Sequence, residues 1–168
     1  MKKIVLIEDQ DEVRENTAEI LELDGYKVYT AENGKAGVAL AIREKPDLII
    51  CDIMMPVLDG YGVLHTLSKN KETAGIPFIF LTAKTEKSDF RKGMEMGADD
   101  YVTKPFDGIE LLSAVEARLK KSEAIKKTYS QDAKGVNDFI EQAKETGKIQ
   151  LTSNERDINT YKKKHKYL

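Results

Sequence analysis

The chain has no tryptophan, a single cysteine and only four prolines in 168 residues. One thiol excludes an internal disulfide, so a packed core must hold the fold, and Cys51 reads as a small buried hydrophobe in a reducing compartment. Membrane-length apolar runs are also missing, since a spanning helix needs roughly 20 such residues. Met1-Lys2-Lys3 leads straight into a short strand-like segment, where a secretory signal would need a longer apolar region and a cleavage site. The expectation is a cytoplasmic protein with no membrane contact. No Gly/Ser linker, low-complexity tract or internal repeat interrupts the chain.

What is present is a globular composition, 40% hydrophobic and 33% charged. The net charge of -2 hides an asymmetry. Residues 1–117 carry 14 Lys+Arg against 22 Asp+Glu, and residues 118–168 carry 13 against 7. An acidic front is thus followed by a basic tail, which reads first as a solvated helix surface and second as a contact for nucleic acid or an acidic partner.

Five apolar runs alternate with segments of helical period. Strands are predicted over 3–8, 27–31, 48–51, 78–82 and 101–103. The first helix is predicted over 11–23, with Val13, Thr17, Ile20, Leu21 and Leu23 as its apolar stripe and Asp24-Gly25 as its stop. Asn33 is a plausible N-cap for the second, which ends before Pro46. The third follows Asp59-Gly60 and carries Val63, Leu64 and Leu67. The fourth covers roughly 86–96 and stops at Gly97. The fifth starts at Asp107, runs past Leu119, and shows Ile109, Leu112, Val115 and Leu119 as a spaced apolar face. A separate helix-like piece with Val136, Phe139, Ile140 and Ala143 follows, ended by Gly147. Regular strand–helix alternation predicts an α/β fold: a doubly wound, flavodoxin-like (βα)5 parallel sheet in the order 2-1-3-4-5, with a C-terminal helical extension.

In that topology ligands bind beyond the carboxyl ends of strands 1 and 3. Glu8 and Asp9 end the first apolar run, and Asp52 ends the third. Three carboxylates at one point would bind a hard dication such as Mg²⁺ and leave one of them free to attack a phosphoryl group. Thr82 ends the fourth strand with a hydroxyl and Lys104 ends the fifth with an ammonium, both suited to phosphoryl oxygens. The Lys104-Pro105 bond is a candidate cis peptide that would aim Lys104 inward. Taken singly, these residues read as a capping turn, a helix-cap Thr and a surface Lys. Their coincidence on four successive strand ends favours a site. His65 and His165 have no partner ligands at metal spacing and read as surface or packing residues.

Ile7-Glu8-Asp9, Cys51-Asp52-Ile53-Met54-Met55-Pro56, Asp59-Gly60, Leu81-Thr82-Ala83, Gly97-Ala98-Asp99-Asp100-Tyr101 and Thr103-Lys104-Pro105-Phe106 resemble the receiver domain of two-component response regulators. The likeness covers residues 1–121 as the receiver. It implies a phosphorylation-activated regulator, not an enzyme with outside substrates. Asp52 would accept a phosphoryl group from the phosphohistidine of a sensor histidine kinase. Asp9, Asp52 and the main-chain carbonyl of Met54 would ligate Mg²⁺, with Glu8 acting mostly through water. Thr82 would hydrogen-bond the phosphoryl group, Lys104 would pair with it, and Tyr101 would turn inward when Thr82 moves. Met54 and Lys84 stand where receivers tune access of the hydrolytic water. The fourth helix, fifth strand and fifth helix would form the readout face, with homodimerisation as the outcome.

Residues 122–168 are expected to be a basic, mostly helical linker. Its end, from Arg156 to Lys166, resembles the opening of the sensor domain in Crp-like regulators. The expectation is therefore a piece of a longer regulator whose effector binds DNA. Two rival chemistries are disfavoured by single residues. A flavin carrier needs a phosphate-cradling loop where Glu8-Asp9-Gln10-Asp11 stands, and an aspartyl phosphatase needs an acid where Met54 stands. A phosphorylation-independent adaptor of the same fold is disfavoured by the complete set of acids, hydroxyl and lysine.

Overall fold

The protein is described here from a computed structural model covering residues 1–83 and 87–146, the side chains of 87–89 excepted. The elements run β1 (Lys3–Ile7), α1 (Asp11–Leu23), β2 (Lys27–Ala31), α2 (Gly34–Glu44), β3 (Leu48–Asp52), α3 (Gly60–Ser68), β4 (Phe78–Ala83), α4 (Lys87–Glu95), β5 (Asp100–Lys104) and α5 (Gly108–Glu145). All strand pairs are parallel, in the order β2-β1-β3-β4-β5. This is the flavodoxin-like order expected from the alternation.

Successive strand residues point to opposite faces, and the inner strands bury both. Val5, Ile7, Ile49, Cys51, Phe78 and Phe80 pack with Leu40 and Ala41 of α2 and with Val63, Leu64 and Leu67 of α3. Ile4, Leu6, Leu48, Ile50, Ile79 and Leu81 pack with Ala18 and Leu21 of α1 and with Leu111, Val115 and Leu119 of α5. Two-sided burial is why these strands read as unbroken apolar runs.

The helix ends follow local chemistry. Asn33, Asp59 and Asp107 each accept a hydrogen bond from the backbone N–H three residues on, at 2.8, 2.8 and 2.7 Å. At the end of α4, Gly97 has φ 100, the Gly97 N–H reaches the Met94 carbonyl and the Ala98 N–H reaches the Gly93 carbonyl. These paired bonds need a left-handed residue, which glycine supplies without strain.

Three expectations are corrected. Leu23 is 82% exposed while Thr17, Ala18 and Leu21 are buried, because a residue two places beyond Leu21 lies about 200° round the helix. Ile109 is exposed for the same reason, two places before the buried Leu111. The apolar face of α5 is Leu111, Val115 and Leu119. Finally, the piece containing Val136 is not a separate helix but part of α5, which runs to Glu145. No proline interrupts 108–145, Lys, Glu and Ala favour the helix, and Gly135 alone costs only about 1 kcal/mol.

The chain divides into two compact units, Met1–Glu123 and Ala124–Leu168. Among the described residues no helix is long and apolar enough to cross a membrane. Lys84, Gly147, His165 and the stretch from Arg156 to Lys166 lie outside the described residues.

The loop from β3 to α3 holds one strained residue. Val57 has φ 71, and the Leu58 N–H bonds to the Pro56 carbonyl at 2.9 Å. That is a three-residue turn centred on a β-branched side chain in the left-handed region, where a Cβ is penalised. The Val57 side chain is 95% exposed, so it gains no packing in return. Val57→Gly is expected to raise stability by about 1 kcal/mol. Urea denaturation would measure it, and a fall in midpoint would show that the turn is not strained.

Candidate functional site

The carboxyl ends of four strands bring the site together. β1 and β3 are neighbours in register, with Ile7 opposite Cys51, so Glu8 comes next to Asp52. β4 lies on the other side of β3, with Asp52 opposite Leu81 and Thr82 one step further. β5 follows, with Ala83 opposite Lys104. One carboxylate oxygen from each of Glu8, Asp9 and Asp52 falls within 4.8 Å of the others.

Close packing fixes Asp52 from behind. A Cβ at Gly60 would sit 2.4 Å from the Asp52 carbonyl oxygen and 2.8 Å from the Ile53 Cα, nearer than a real Cβ can come. Only glycine lets α3 start hard against the end of β3. Cys51, next in the chain, is fully buried, and burial pushes its thiol well above the ordinary range. It is the inert strand residue its sequence suggests.

Charge is unevenly compensated here. Glu8 is fully buried. Its Oε2 accepts from Lys104 Nζ at 2.5 Å, and its Oε1 accepts from the Gln10 N–H at 3.1 Å. Lys104 Nζ also lies 3.5 Å from Asp52 Oδ1. One ammonium thus faces two carboxylates, with a third beside them. Burial first, and then the Glu8 charge, push the Asp52 carboxyl up to about 6, against the pull of Lys104. Asp9 Oδ1 is buried and has no hydrogen-bond partner among the described residues. An orphaned carboxylate oxygen inside an all-oxygen cluster suits a hard dication such as Mg²⁺.

The remaining residues frame the cluster. Thr82 is buried, and its hydroxyl donates to the neighbouring Ala83 carbonyl at 3.0 Å. The Lys104-Pro105 bond is cis. The Met54 side chain is exposed on the loop after Asp52. Tyr101 is half-buried, its ring 5.3 Å from Phe80 and 4.9 Å from Phe90. His65 is exposed on α3.

Sequence reasoning missed Arg14. Its Nη1 donates to the Glu8 carbonyl at 2.9 Å and its Nη2 pairs with Asp11, which braces the acidic loop from below. The signal was an Asp–Arg pair at i, i+3 at the start of a helix. Gln10, the residue before α1, makes no side-chain cap. Glu8 gives one oxygen to the Gln10 N–H at the start of α1 and the other to Lys104, while Asp9 Oδ1 serves no helix N–H.

Residues 4–116 match the model of the response regulator receiver domain. The chain is 41% identical over 125 residues to the DNA-binding dual master transcriptional regulator RpaA of Synechocystis, covering 74% of this chain and 52% of that protein. It is 35% identical over 177 residues to the alkaline phosphatase synthesis transcriptional regulatory protein PhoP of Bacillus subtilis, covering 98% and 73%. The chain spans about half the length of the first curated relatives it matches. Among solved structures it is similar to a response regulator receiver domain protein from Clostridium thermocellum, with TM-score 0.69, 27% identity, and 74% and 99% of the two chains covered.

Proposed function

The chain belongs to the response regulator receiver domain family, and on that premise we propose that it is a phosphorylation-activated switch in which Asp52 accepts a phosphoryl group from a histidine kinase. The observation that carries this reading is the cluster of Glu8, Asp9 and Asp52, with an orphaned Asp9 oxygen and with Lys104 shared between two carboxylates.

An Asp52 carboxylate oxygen attacks phosphorus in the donor phosphohistidine, and the P–N bond breaks as the imidazole leaves with the electron pair. The product is an acyl phosphate on Asp52. Asp9, Asp52 and the Met54 main-chain carbonyl would hold Mg²⁺, with Glu8 acting mostly through water, and the ion would neutralise charge on the phosphoryl oxygens. Lys104 exchanges its bond to Glu8 for one to the phosphoryl group, and the Thr82 hydroxyl turns from the Ala83 carbonyl toward the same group. Tyr101 then follows Thr82. The chain catalyses on itself alone both this transfer and the later hydrolysis of the acyl phosphate, in which water takes the phosphoryl group and the Asp52 carboxylate is released.

The output reading rests on the relatives. RpaA and PhoP are transcriptional regulators by name. Residues 1–121 then act as the receiver and 122–168 lead toward an effector that would contact DNA. Phosphorylation promotes homodimerisation through α4, β5 and α5 in the cytoplasm.

Intact-mass measurement after incubation with acetyl phosphate tests the central step. One phosphoryl group per chain is expected with Mg²⁺ and almost none with a chelator. No uptake under either condition would sink the proposal.

A further inference from the structure

A glycine lies inside α4, where alanine would form helix more readily. An ideal Cβ at Gly93 would fall 1.8 Å from the Tyr101 Oη, 2.7 Å from its Cζ and 3.1 Å from Phe80 Cε2. The first two distances are closer than any real Cβ contact. The hydroxyl end of Tyr101 thus occupies the space where residue 93 would otherwise have a side chain.

Neither backbone is placed to give way. The Gly93 carbonyl accepts from the Ala98 N–H at 3.0 Å in the turn that closes α4. Next along the helix, Lys92 Nζ sits 4.4 Å from the centroid of the Tyr61 ring on α3, a cation–π contact that ties α4 to its neighbour. Tyr101 is held by the β4–β5 ladder opposite Phe80. The movable part is the Tyr101 side chain, which can rotate about χ1. Phe80 and Thr82 are two apart on β4, so Tyr101 shares a sheet face with Thr82.

We propose that Gly93 is a positioning residue for Tyr101: the missing side chain opens the seat between α4 and Phe80, and the size of residue 93 sets how much of the time Tyr101 occupies it. The link from this seat to Asp52 rests on the reading of Thr82 and Tyr101 given above. If Tyr101 in this seat accompanies phosphorylation, a methyl group at 93 opposes the phosphorylated state by linkage.

The test uses the full chain labelled with 3-fluorotyrosine, with Tyr101→Phe to identify the Tyr101 line. In the parent protein that line is expected to be displaced by the Phe80 and Phe90 rings, 5.3 and 4.9 Å away. Gly93→Ala is expected to remove the displacement. It is also expected to raise, roughly tenfold, the beryllofluoride concentration that half-saturates the Mg²⁺-loaded protein. A Tyr101 line unmoved in folded Gly93→Ala overturns the proposal, whatever beryllofluoride does. A moved line with unchanged beryllofluoride binding supports the seat and counts against Tyr101 as the switch. Should Gly93→Ala fail to fold, Gly93→Ala with Tyr101→Ala decides. Without the struck ring, the double variant is expected to melt above Tyr101→Ala alone, and a lower midpoint overturns the proposal.

Discussion

An Asp52→Asn protein is expected to take up no phosphoryl group from acetyl phosphate, and in metal-free buffer at pH 7 to melt above the parent. The first effect follows from losing the attacking oxygen, since an amide is no nucleophile toward phosphorus. The second follows from the crowding of charge. Folding raises the Asp52 carboxyl from about 3.8 to about 6, so the native state binds its proton more tightly than the unfolded chain does. Well below pH 3.8 both states are protonated and nothing is lost. Stability then falls as pH climbs through about 6, by on the order of 2–3 kcal/mol. Asparagine carries no charge and escapes that loss. The gain should therefore shrink as pH is lowered through 6 and vanish only below about 3.8, and added Mg²⁺ should stabilise the parent more than the variant. Thermal melts at several pH values would read this directly. A variant less stable than the parent at pH 7 would mean that Lys104 already balances the cluster.

Removing Lys104 should act in the opposite direction. Lys104→Met strips the ammonium from Glu8, a carboxylate with no exposed surface. Breaking such a pair from one side leaves a buried charge unanswered, at a cost of about 3 kcal/mol or more. Replacing both partners, Glu8→Gln with Lys104→Met, should recover most of it, because no charge is then stranded. Urea denaturation of the four proteins gives the coupling. Additive losses would show that Glu8 finds another partner. In labelling experiments the single Lys104→Met protein loses the pull that holds the Asp52 carboxyl down, so its acetyl phosphate uptake is expected to shift to higher pH than the parent's.

Much of this was legible in the chain. Strand ends were legible because a buried parallel strand is a plain apolar run, and Glu8, Asp52, Thr82 and Lys104 are the polar residues at which such runs stop. Helix starts were legible at Asn33, Asp59 and Asp107, whose side chains accept the N–H bonds their types suggest. Less legible was anything set by side-chain direction. Leu23 and Ile109 were counted with their stripes on hydrophobicity alone, although two residues' offset turns each away from the sheet. The single α5 was hidden because Leu119 is the last residue with a sheet to cover, so the apolar rhythm fades although helix propensity continues. Contacts that depend on a missing atom were invisible: nothing in the letter G at 60 or 93 says which neighbour fills the space. Lys104 was expected to await a phosphoryl group, whereas it rests on Glu8, a choice set by a distance across the whole sheet.

That last contact also says something about assembly. Glu8 and Lys104 are 96 residues apart. A chain leaving the ribosome N-terminus first presents its acids long before the lysine that answers them is made. The strand that closes this bridge lies at an edge of the sheet, paired on one side only among the described residues. The only ammonium that answers Glu8 among the described residues thus comes with β5, and loosening that edge would strip Glu8 of it.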